Sequence, residues 1–181
     1  IVGFDVVFAE RDESSGIRVL ERLGTREMRD VPQFHSTLSK IRPQLEYDDI
    51  FARTMNGRAV VLGYTFSSDE PGLAPIKGLL PPPVFTAQTF AKNPIRSTSW
   101  NGYTANLEVL QKNAASAGHF NPLPDPDGVT RRVPMLAEYN GAYYEPLSLA
   151  MVRVLLGSPP LKPVSPDQSL APEDYPGLER L

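Results

Sequence analysis

Short apolar runs separated by polar, proline-rich segments dominate the hydropathy pattern of the chain. Residues 1–8 are mostly β-branched and aromatic, apart from Asp5, and such a run predicts a strand buried on both faces of a helix-covered sheet. Residues 58–66 form a second run of this kind and predict a second buried strand. Both runs are far shorter than the roughly 20 apolar residues that a membrane-spanning helix needs, so neither a transmembrane helix nor a signal peptide is predicted.

Three short helices are predicted between these two strands. The first covers residues 17–24 and ends at Gly24. The second begins after Asp30, whose side chain can accept hydrogen bonds from the free N–H groups of the first turn. It ends at Pro43, which has no N–H to donate. The third covers residues 50–56 and follows an aspartate cap.

The second half of the chain predicts a helix, a hairpin and a further helix. Apolar residues at helical spacing make residues 104–118 the clearest helix of the chain. Residues 129–139 alternate as a strand, and Asn140 with Gly141 is a strong signal for a two-residue hairpin turn. Pro146 then begins the last helix.

This order of elements predicts an α/β fold in a single domain. We expect a mixed β-sheet flanked by helices, with a C-terminal β-hairpin followed by a helix and a proline-rich tail. The expected domain covers residues 1–157, and residues 158–181 are expected to form an extended arm or linker toward following membrane segments. Residues 67–99 are rich in proline, glycine, serine and threonine, so they form either a functional loop or a segment that contains short strands.

Composition excludes several classes of function. The chain has 181 residues, a net charge of -3 and no basic block, so no nucleic-acid partner is predicted, because phosphate binding needs clustered lysine and arginine. The absence of cysteine excludes disulfides, thiol catalysis and cysteine-ligated zinc. The two histidines, His35 and His119, are far apart in sequence, so a histidine-based zinc site is not expected. Neither a metal nor a cofactor is predicted.

The segment FNPLPDPDGVTRRVP, residues 120–134, raises the question of a metal-binding or catalytic loop. Asp125 and Asp127 before Gly128 resemble part of a calcium loop. A further oxygen ligand and the final glutamate of an EF-hand loop are missing, because valine and leucine stand at those positions. Aspartate, proline and glycine in this order are instead typical of a type I turn that leads into a strand.

Arg131 follows this turn and lies on the more apolar face of the predicted strand. We therefore expect its guanidinium to be buried and paired with Asp125, Asp127 or Asp5, because an unpaired buried charge is costly. The alternative is that Arg131 presents its guanidinium to a small anionic ligand.

Polar residues near the predicted strands offer further candidates. His119, close to Asn121, can act as an acid, a base or a pH sensor, or only as a hydrogen-bonded structural residue. Asp5 and Glu10 lie in and just after the first strand, and ligands of α/β sheets bind at the carboxyl ends of strands. A small α/β hydrolase that uses Asp5, Glu10 or Asp127 is therefore an alternative function, although the chain has no nucleophile elbow and no phosphate-binding loop.

Three blocks of the sequence resemble CHASE sensory domains of the second type, the cyclases/histidine kinases associated sensory extracellular domains. The blocks are GFDVVFAERD, DIFARTMNGRAVVLGYTF and AGHFNPLPDPDGVTRRVPMLAEYNGAYYEPLSLAMVRVLLG. The most specific positions are Gly118, His119 and Asn121, then Asp125, Asp127, Gly128 and Arg131, then Ser148, Leu149 and Ala150. The resemblance covers about residues 3 to 157, except for the segment 67–99.

This resemblance implies a non-enzymatic extracytoplasmic sensor domain of a bacterial membrane-bound signalling protein. In the family, a membrane helix precedes the domain and three usually follow it. The output is a cytoplasmic adenylate, guanylate or diguanylate cyclase, or a histidine or serine/threonine kinase. The chain is then an N-terminally truncated fragment of a membrane-anchored parent that acts as a homodimer.

The ligands of the family are mostly undefined, so the resemblance implies an unknown small-molecule ligand or extracytoplasmic partner. Signalling requires two conformations, one of which the ligand favours. The remaining alternative is a purely structural dimerisation module. The residues expected to contact a ligand are Asp5, His119, Asn121, Asp125, Asp127 and Arg131.

Overall fold

The computed structural model describes residues 1–70, 72–91, 95 and 97–163. These residues form the predicted α/β fold in a single domain, with a mixed β-sheet and helices on both of its faces. None of the helices in these ranges is both long enough and apolar enough to cross a membrane. Of the predicted tail, residues 158–163 are described and have no regular secondary structure, whereas residues 164–181 lie outside the described part.

The elements are short and numerous. The strands are β1 (Val2–Phe4), β2 (Val60–Ser67), β3 (Ile76–Lys77), β4 (Phe85–Thr86), β5 (Thr98–Trp100), β6 (Gly102–Thr104), β7 (Ser116–His119), β8 (Leu123–Pro124), β9 (Thr130–Arg132), β10 (Ala137–Tyr139) and β11 (Ala142–Tyr144). The helices are α1 (Ile17–Thr25), α2 (Pro32–Leu45), α3 (Tyr47–Met55), α4 (Glu108–Gln111) and α5 (Leu147–Leu155), with a 3-10 helix at Ala87–Phe90.

Strand β2 is the centre of the main sheet. β1 runs parallel to its first half, with Gly3 opposite Val61, and β7 runs parallel along its other edge, with Gly118 opposite Gly63. β6 pairs antiparallel with the second half of β2, and β3 extends the sheet beyond β6. The buried strand predicted at residues 58–66 is thereby confirmed, because β2 is buried along most of its length.

Helices α5 and α3 cover opposite faces of this sheet. On one face, a Cβ added to Gly118 would lie 2.5 Å from the backbone nitrogen of Leu147, and one added to Gly3 would lie 2.4 Å from the sulfur of Met151. Both glycines therefore let α5 approach the sheet closely. Side chains of α3 pack on the other face, in the core cluster that contains Leu62.

A second sheet, in the order β4-β11-β10-β5, packs against the core through aromatic rings. Phe66 of β2 stacks on Tyr139 of β10, with ring centroids 6.0 Å apart. The ring of Phe66 also lies 5.4 Å from that of Tyr144 on β11. These contacts fix the hairpin that carries both tyrosines against the main sheet.

The predicted hairpin and the last helix are confirmed. Asn140 and Gly141 connect β10 and β11 with φ angles of 51° and 73°, in the left-handed region that this two-residue turn requires. Pro146 directly precedes α5. The helix predicted at residues 17–24 is confirmed as α1.

The helix predicted at residues 104–118 is wrong. Thr104 belongs to β6, the segment contains only the short α4, and its last residues enter β7. Backbone pairing of β7 with β2 and the close contact of Gly118 with α5 decide the outcome. Local helical preference is a weak effect that such tertiary contacts override.

Two strand predictions are too long. The strand predicted at residues 1–8 shortens to β1, and Val2 is exposed because β1 lies at the edge of the sheet. The strand predicted at residues 129–139 splits into β9 and β10, with Pro134 between them. For residues 67–99, the alternative of short strands is confirmed by β3 and β4.

The boundaries of two helices also differ from the prediction. α2 begins at Pro32 and continues through Pro43, with Val31 rather than Asp30 at the cap position. Proline fits the first position because the N–H there has no helical partner. Pro43 is tolerated near the end of α2, where it removes a single hydrogen bond of the last turns. α3 begins earlier than predicted, at Tyr47.

Candidate functional site

The segment between β8 and β9 forms the predicted turn. The N–H of Gly128 donates to the carbonyl of Asp125 at 2.8 Å. The N–H of Val129 donates to a side-chain oxygen of Asp127 at 3.0 Å. The turn therefore places the carboxylates of Asp125 and Asp127 at the tip of a small hairpin, whose strands β8 and β9 form a separate two-stranded sheet.

Arg131 forms the predicted ion pairs but is not buried. Its guanidinium lies 3.1 Å from Asp125 and 2.9 Å from Asp127. The Arg131 side chain is 55% exposed, so the prediction of burial is wrong. Among the described residues, nothing covers β9, and all three of its residues are exposed. The hydrogen bond with Asp127 raises the pKa of Arg131 most, and the one with Asp125 adds to this effect. The hydrogen bond from Arg131 in turn lowers the pKa of Asp127.

His119 and Asn121 lie in the interior, at the end of β7. The side-chain oxygen of Asn121 accepts a hydrogen bond from the N–H of Phe66 at 2.8 Å, and its amide nitrogen donates to the carbonyl of Phe66 at 2.7 Å. The ring of His119 lies 6.0 Å from that of Phe66. Burial lowers the pKa of His119 to about 4, so the ring is neutral at ordinary pH.

The residues predicted to bind a ligand are thus spread over separate places. Asp125, Asp127 and Arg131 meet at an exposed hairpin, and His119 and Asn121 are buried beside Phe66. Asp5 is exposed just after β1, and no salt bridge within the described ranges includes it. Ligand binding by any of these residues stays a prediction.

Two of the three acids of the alternative hydrolase are engaged in ion pairs. Glu10 lies 2.8 Å from Lys77, and Asp127 is paired with Arg131. In the described part of the chain, no group of three or more His, Asp or Glu side chains is arranged to hold a metal ion. The third acid, Asp5, forms no ion pair within the described ranges.

A cavity that no motif predicts lies beside β7 and β11. Its volume is about 410 Å³, within the range of small-molecule sites. The proline run before β4 forms one wall, and the segment that follows α5 forms another. The lining residues are Tyr64, Pro81, Pro82, Pro83, Val84, Gln111, Ala114, Ala115, Ser116, Ala117, Tyr144, Glu145, Arg153, Val154, Ser158, Pro160 and Leu161.

Three polar side chains on the cavity wall are buried with an atom left unpaired. Tyr64, Gln111 and Glu145 are 0%, 8% and 4% exposed. Within the residues that the structure describes, Oη of Tyr64, Oε1 of Gln111 and Oε2 of Glu145 have no hydrogen-bond partner. Most buried polar atoms in folded proteins are hydrogen-bonded, so three residues with an unpaired atom on the wall of one cavity make it a candidate ligand site.

Glu145 is held at the junction of β7, β11 and α5. Its backbone carbonyl accepts a hydrogen bond from the N–H of His119 at 3.0 Å. Its Oε1 accepts a charge-assisted hydrogen bond from Arg153 of α5. Burial raises the pKa of Glu145, and the positive charge of Arg153 opposes this effect. The second carboxylate oxygen of Glu145, Oε2, has no hydrogen-bond partner among the described residues.

Arg153 also binds the segment that closes the cavity. Its Nε donates to the carbonyl of Pro159 at 3.0 Å. Gly157 and Ser158 have positive φ angles of 84° and 59°, so the chain turns back at the end of α5. One guanidinium therefore joins the buried Glu145 to the wall formed by the following segment.

Another groove, of about 520 Å³, lies among charged side chains near α1, α2 and α3. Several of its charges are paired with one another, as in the contact of Arg42 with Glu46 at 2.9 Å. None of its lining residues carries one of the buried unpaired side-chain atoms found in the described ranges. The cavity beside β7 is therefore the stronger candidate.

Comparison with known proteins assigns the family. A family model for the CHASE2 domain matches residues 1–177, almost the whole chain. The chain belongs to the CHASE2 family. It is thus an extracellular sensory domain of the kind found in signalling proteins, and the family is sensory rather than catalytic. Neither the curated proteins nor the solved structures contain a match to the chain.

Proposed function

We propose that this CHASE2 domain binds a small extracytoplasmic ligand and passes the signal through the membrane of a bacterial parent protein. The parent carries a cytoplasmic cyclase or kinase and acts as a homodimer. Family membership carries this proposal. The cavity beside β7 supports ligand binding, because its buried polar groups with unpaired atoms are suited to recognition.

The wall of the cavity suggests how ligand binding could reach the rest of the parent. Residues 158–161 take part in that wall and follow α5 directly. A ligand that changes the contact between Arg153 and Pro159 would alter the path of the chain after α5. In this proposal, residues 1–157 form the sensor and residues 158–181 the arm that receives its signal.

Location can be tested by labelling cells, because the chain contains no cysteine. In the full-length parent, a Ser39→Cys variant places one thiol on the exposed face of α2. We expect a membrane-impermeant maleimide to label this variant on intact cells, above the level of the parent without the substitution. Labelling that occurs only after lysis would contradict an extracytoplasmic location.

Output is tested in membranes that contain the parent. We expect the reading frame of the parent to encode hydrophobic spans on both sides of the domain. We also expect it to encode a cyclase or kinase domain. Ligand added to the extracytoplasmic side should then change the cyclase or kinase rate, and ligand added to the isolated output domain should not. A parent without membrane spans or an output domain would refute the proposal.

A further inference from the structure

We propose that the cavity beside β7 is the sensing site and that its ligand is a small uncharged molecule with several O–H or N–H donors, such as a monosaccharide, a polyol or a primary amide. This inference rests on the sensory function proposed above. It names the site and the chemical class of the ligand. None of the residues predicted from sequence to bind a ligand lines this cavity.

The unpaired atoms of the wall are mostly acceptors, so they favour a ligand that carries hydrogen-bond donors. The unpaired atoms Oε1 of Gln111 and Oε2 of Glu145 are acceptors, and the unpaired hydroxyl of Tyr64 can both donate and accept. A ligand that offers two or more donors satisfies both acceptors at once. A ligand that carries only acceptors can pair with the Tyr64 hydroxyl and leaves the other two atoms unsatisfied.

The charge of the wall selects an uncharged molecule. The carboxylate of Glu145 and the guanidinium of Arg153 already neutralise each other in a largely buried pair, with side chains 5% and 19% exposed. An anion or a cation would have to break this pair or enter with an unbalanced charge, and either event is costly in a buried site. An uncharged donor binds Oε2 of Glu145 while the pair stays intact.

The remaining walls suit the carbon faces of such a molecule. Pro82 and Pro83 present a rigid ring surface without N–H groups, and the side chains of Ala114 and Ala117 are small and apolar. A volume of about 410 Å³ admits a ligand the size of a monosaccharide. A lining that combines polar groups with apolar surface suits a ring that carries hydroxyl groups.

Calorimetric titration of the 181-residue chain tests the ligand class. The uncharged probes are glucose, inositol and nicotinamide, and the charged probes are glutamate and putrescine. We expect at least one uncharged probe to bind and to raise the melting temperature, because a ligand of the folded state stabilises it. Binding by charged probes alone, or by none of the five, would overturn the inference.

Tyr64→Phe is the decisive variant because it removes the unpaired hydroxyl and keeps the ring. Loss of one hydrogen bond should weaken binding of the uncharged probe by about tenfold. The unliganded variant should keep or gain thermal stability, because a buried unpaired hydroxyl is destabilising. Gln111→Met removes a second unpaired acceptor and should weaken binding to a similar extent.

Ser67→Ala is the matched control. Oγ of Ser67 is also buried and unpaired within the described residues, and it lies on the same strand as Tyr64, but Ser67 does not line the cavity. This variant should bind the probe with unchanged affinity. If Tyr64→Phe and Gln111→Met also retain full affinity, the probe binds elsewhere and the inference is wrong.

Failure of the inference can be distinguished from failure of the proposed function. If the cavity variants leave ligand affinity unchanged but Ser39→Cys is labelled on intact cells, the domain is extracytoplasmic and only the proposed site is wrong. If labelling requires lysis, the proposed function fails, whatever binds in the cavity.

Discussion

The side-chain amide of Asn121 makes the two backbone hydrogen bonds with Phe66 that a neighbouring strand residue would otherwise make. These bonds measure 2.8 Å and 2.7 Å. They lie on the same edge of β2 as β7, which pairs with the earlier residues Val61 to Tyr64. The side chain thus extends the pairing of β2 beyond the end of β7. In this arrangement the amide accepts through its oxygen and donates through its nitrogen, so one planar group pairs with both the N–H and the carbonyl of Phe66.

Asn121→Ala is therefore expected to lower the free energy of unfolding by about 2–4 kcal/mol, because it leaves a buried N–H and a buried carbonyl unpaired. Urea denaturation measures the loss. Asn101→Ala is the control, since Asn101 makes the same pair of bonds with the backbone of Asp69 at an exposed position. It should cost less than about 1 kcal/mol. Equal losses in the two variants would show that Asn121 does not act through burial.

Arg131→Ala should have only a marginal effect on the denaturation midpoint, in contrast to the buried pair that its sequence position suggests. The ion pairs with Asp125 and Asp127 are exposed, and water and salt screen such contacts. Any difference from the wild-type midpoint should disappear at high salt. A large loss that persists in salt would mean that Arg131 is buried in solution.

Local signals account for the parts of the fold that could be predicted. The apolar run of β2, the turn at Asn140 and Gly141, and the proline before α5 each determine their own conformation. The segment at residues 104–118 has helical spacing, but its last residues form β7 because they pair with β2 and pack beneath α5. Contacts with distant parts of the chain cannot be read from the hydropathy pattern of a single segment.

The predicted site residues and the cavity differ for a similar reason. The turn with Asp125 and Asp127 is conspicuous in sequence because charged and turn-forming residues are clustered there. Tyr64, Gln111 and Glu145 lie far apart in the chain and meet only through the fold. Burial of Glu145 has no local signal in the sequence, because its partner Arg153 lies eight residues further along the chain, in α5.

Gly118→Ala should destabilise the domain by about 2–3 kcal/mol, the usual cost of overpacking a filled interior. The added Cβ would meet the backbone of Leu147, so α5 as a whole would have to move. Gly3→Ala is the matched variant beneath the same helix. There the new methyl would meet the flexible end of Met151, so the cost should be smaller, about 1 kcal/mol. A smaller loss for Gly118→Ala than for Gly3→Ala would contradict this packing.

His119 should make the stability of the domain fall in acid. Its pKa drops from 6.5 to about 4 on folding because the buried ring resists protonation. Between these values the unfolded chain binds a proton that the folded chain does not, so stability decreases as the pH falls from 6.5 toward 4. The full decrease corresponds to about 3 kcal/mol. Above this window His119 contributes no pH dependence.

His119→Leu should flatten this part of the stability profile, measured by urea denaturation at a series of pH values. Glu145, whose backbone carbonyl binds the N–H of His119, has a raised pKa and contributes a slope of opposite sign, which both proteins share. The comparison between variant and wild type therefore isolates His119. If His119→Leu retains the wild-type slope, the interior ring is not the source of the acid sensitivity.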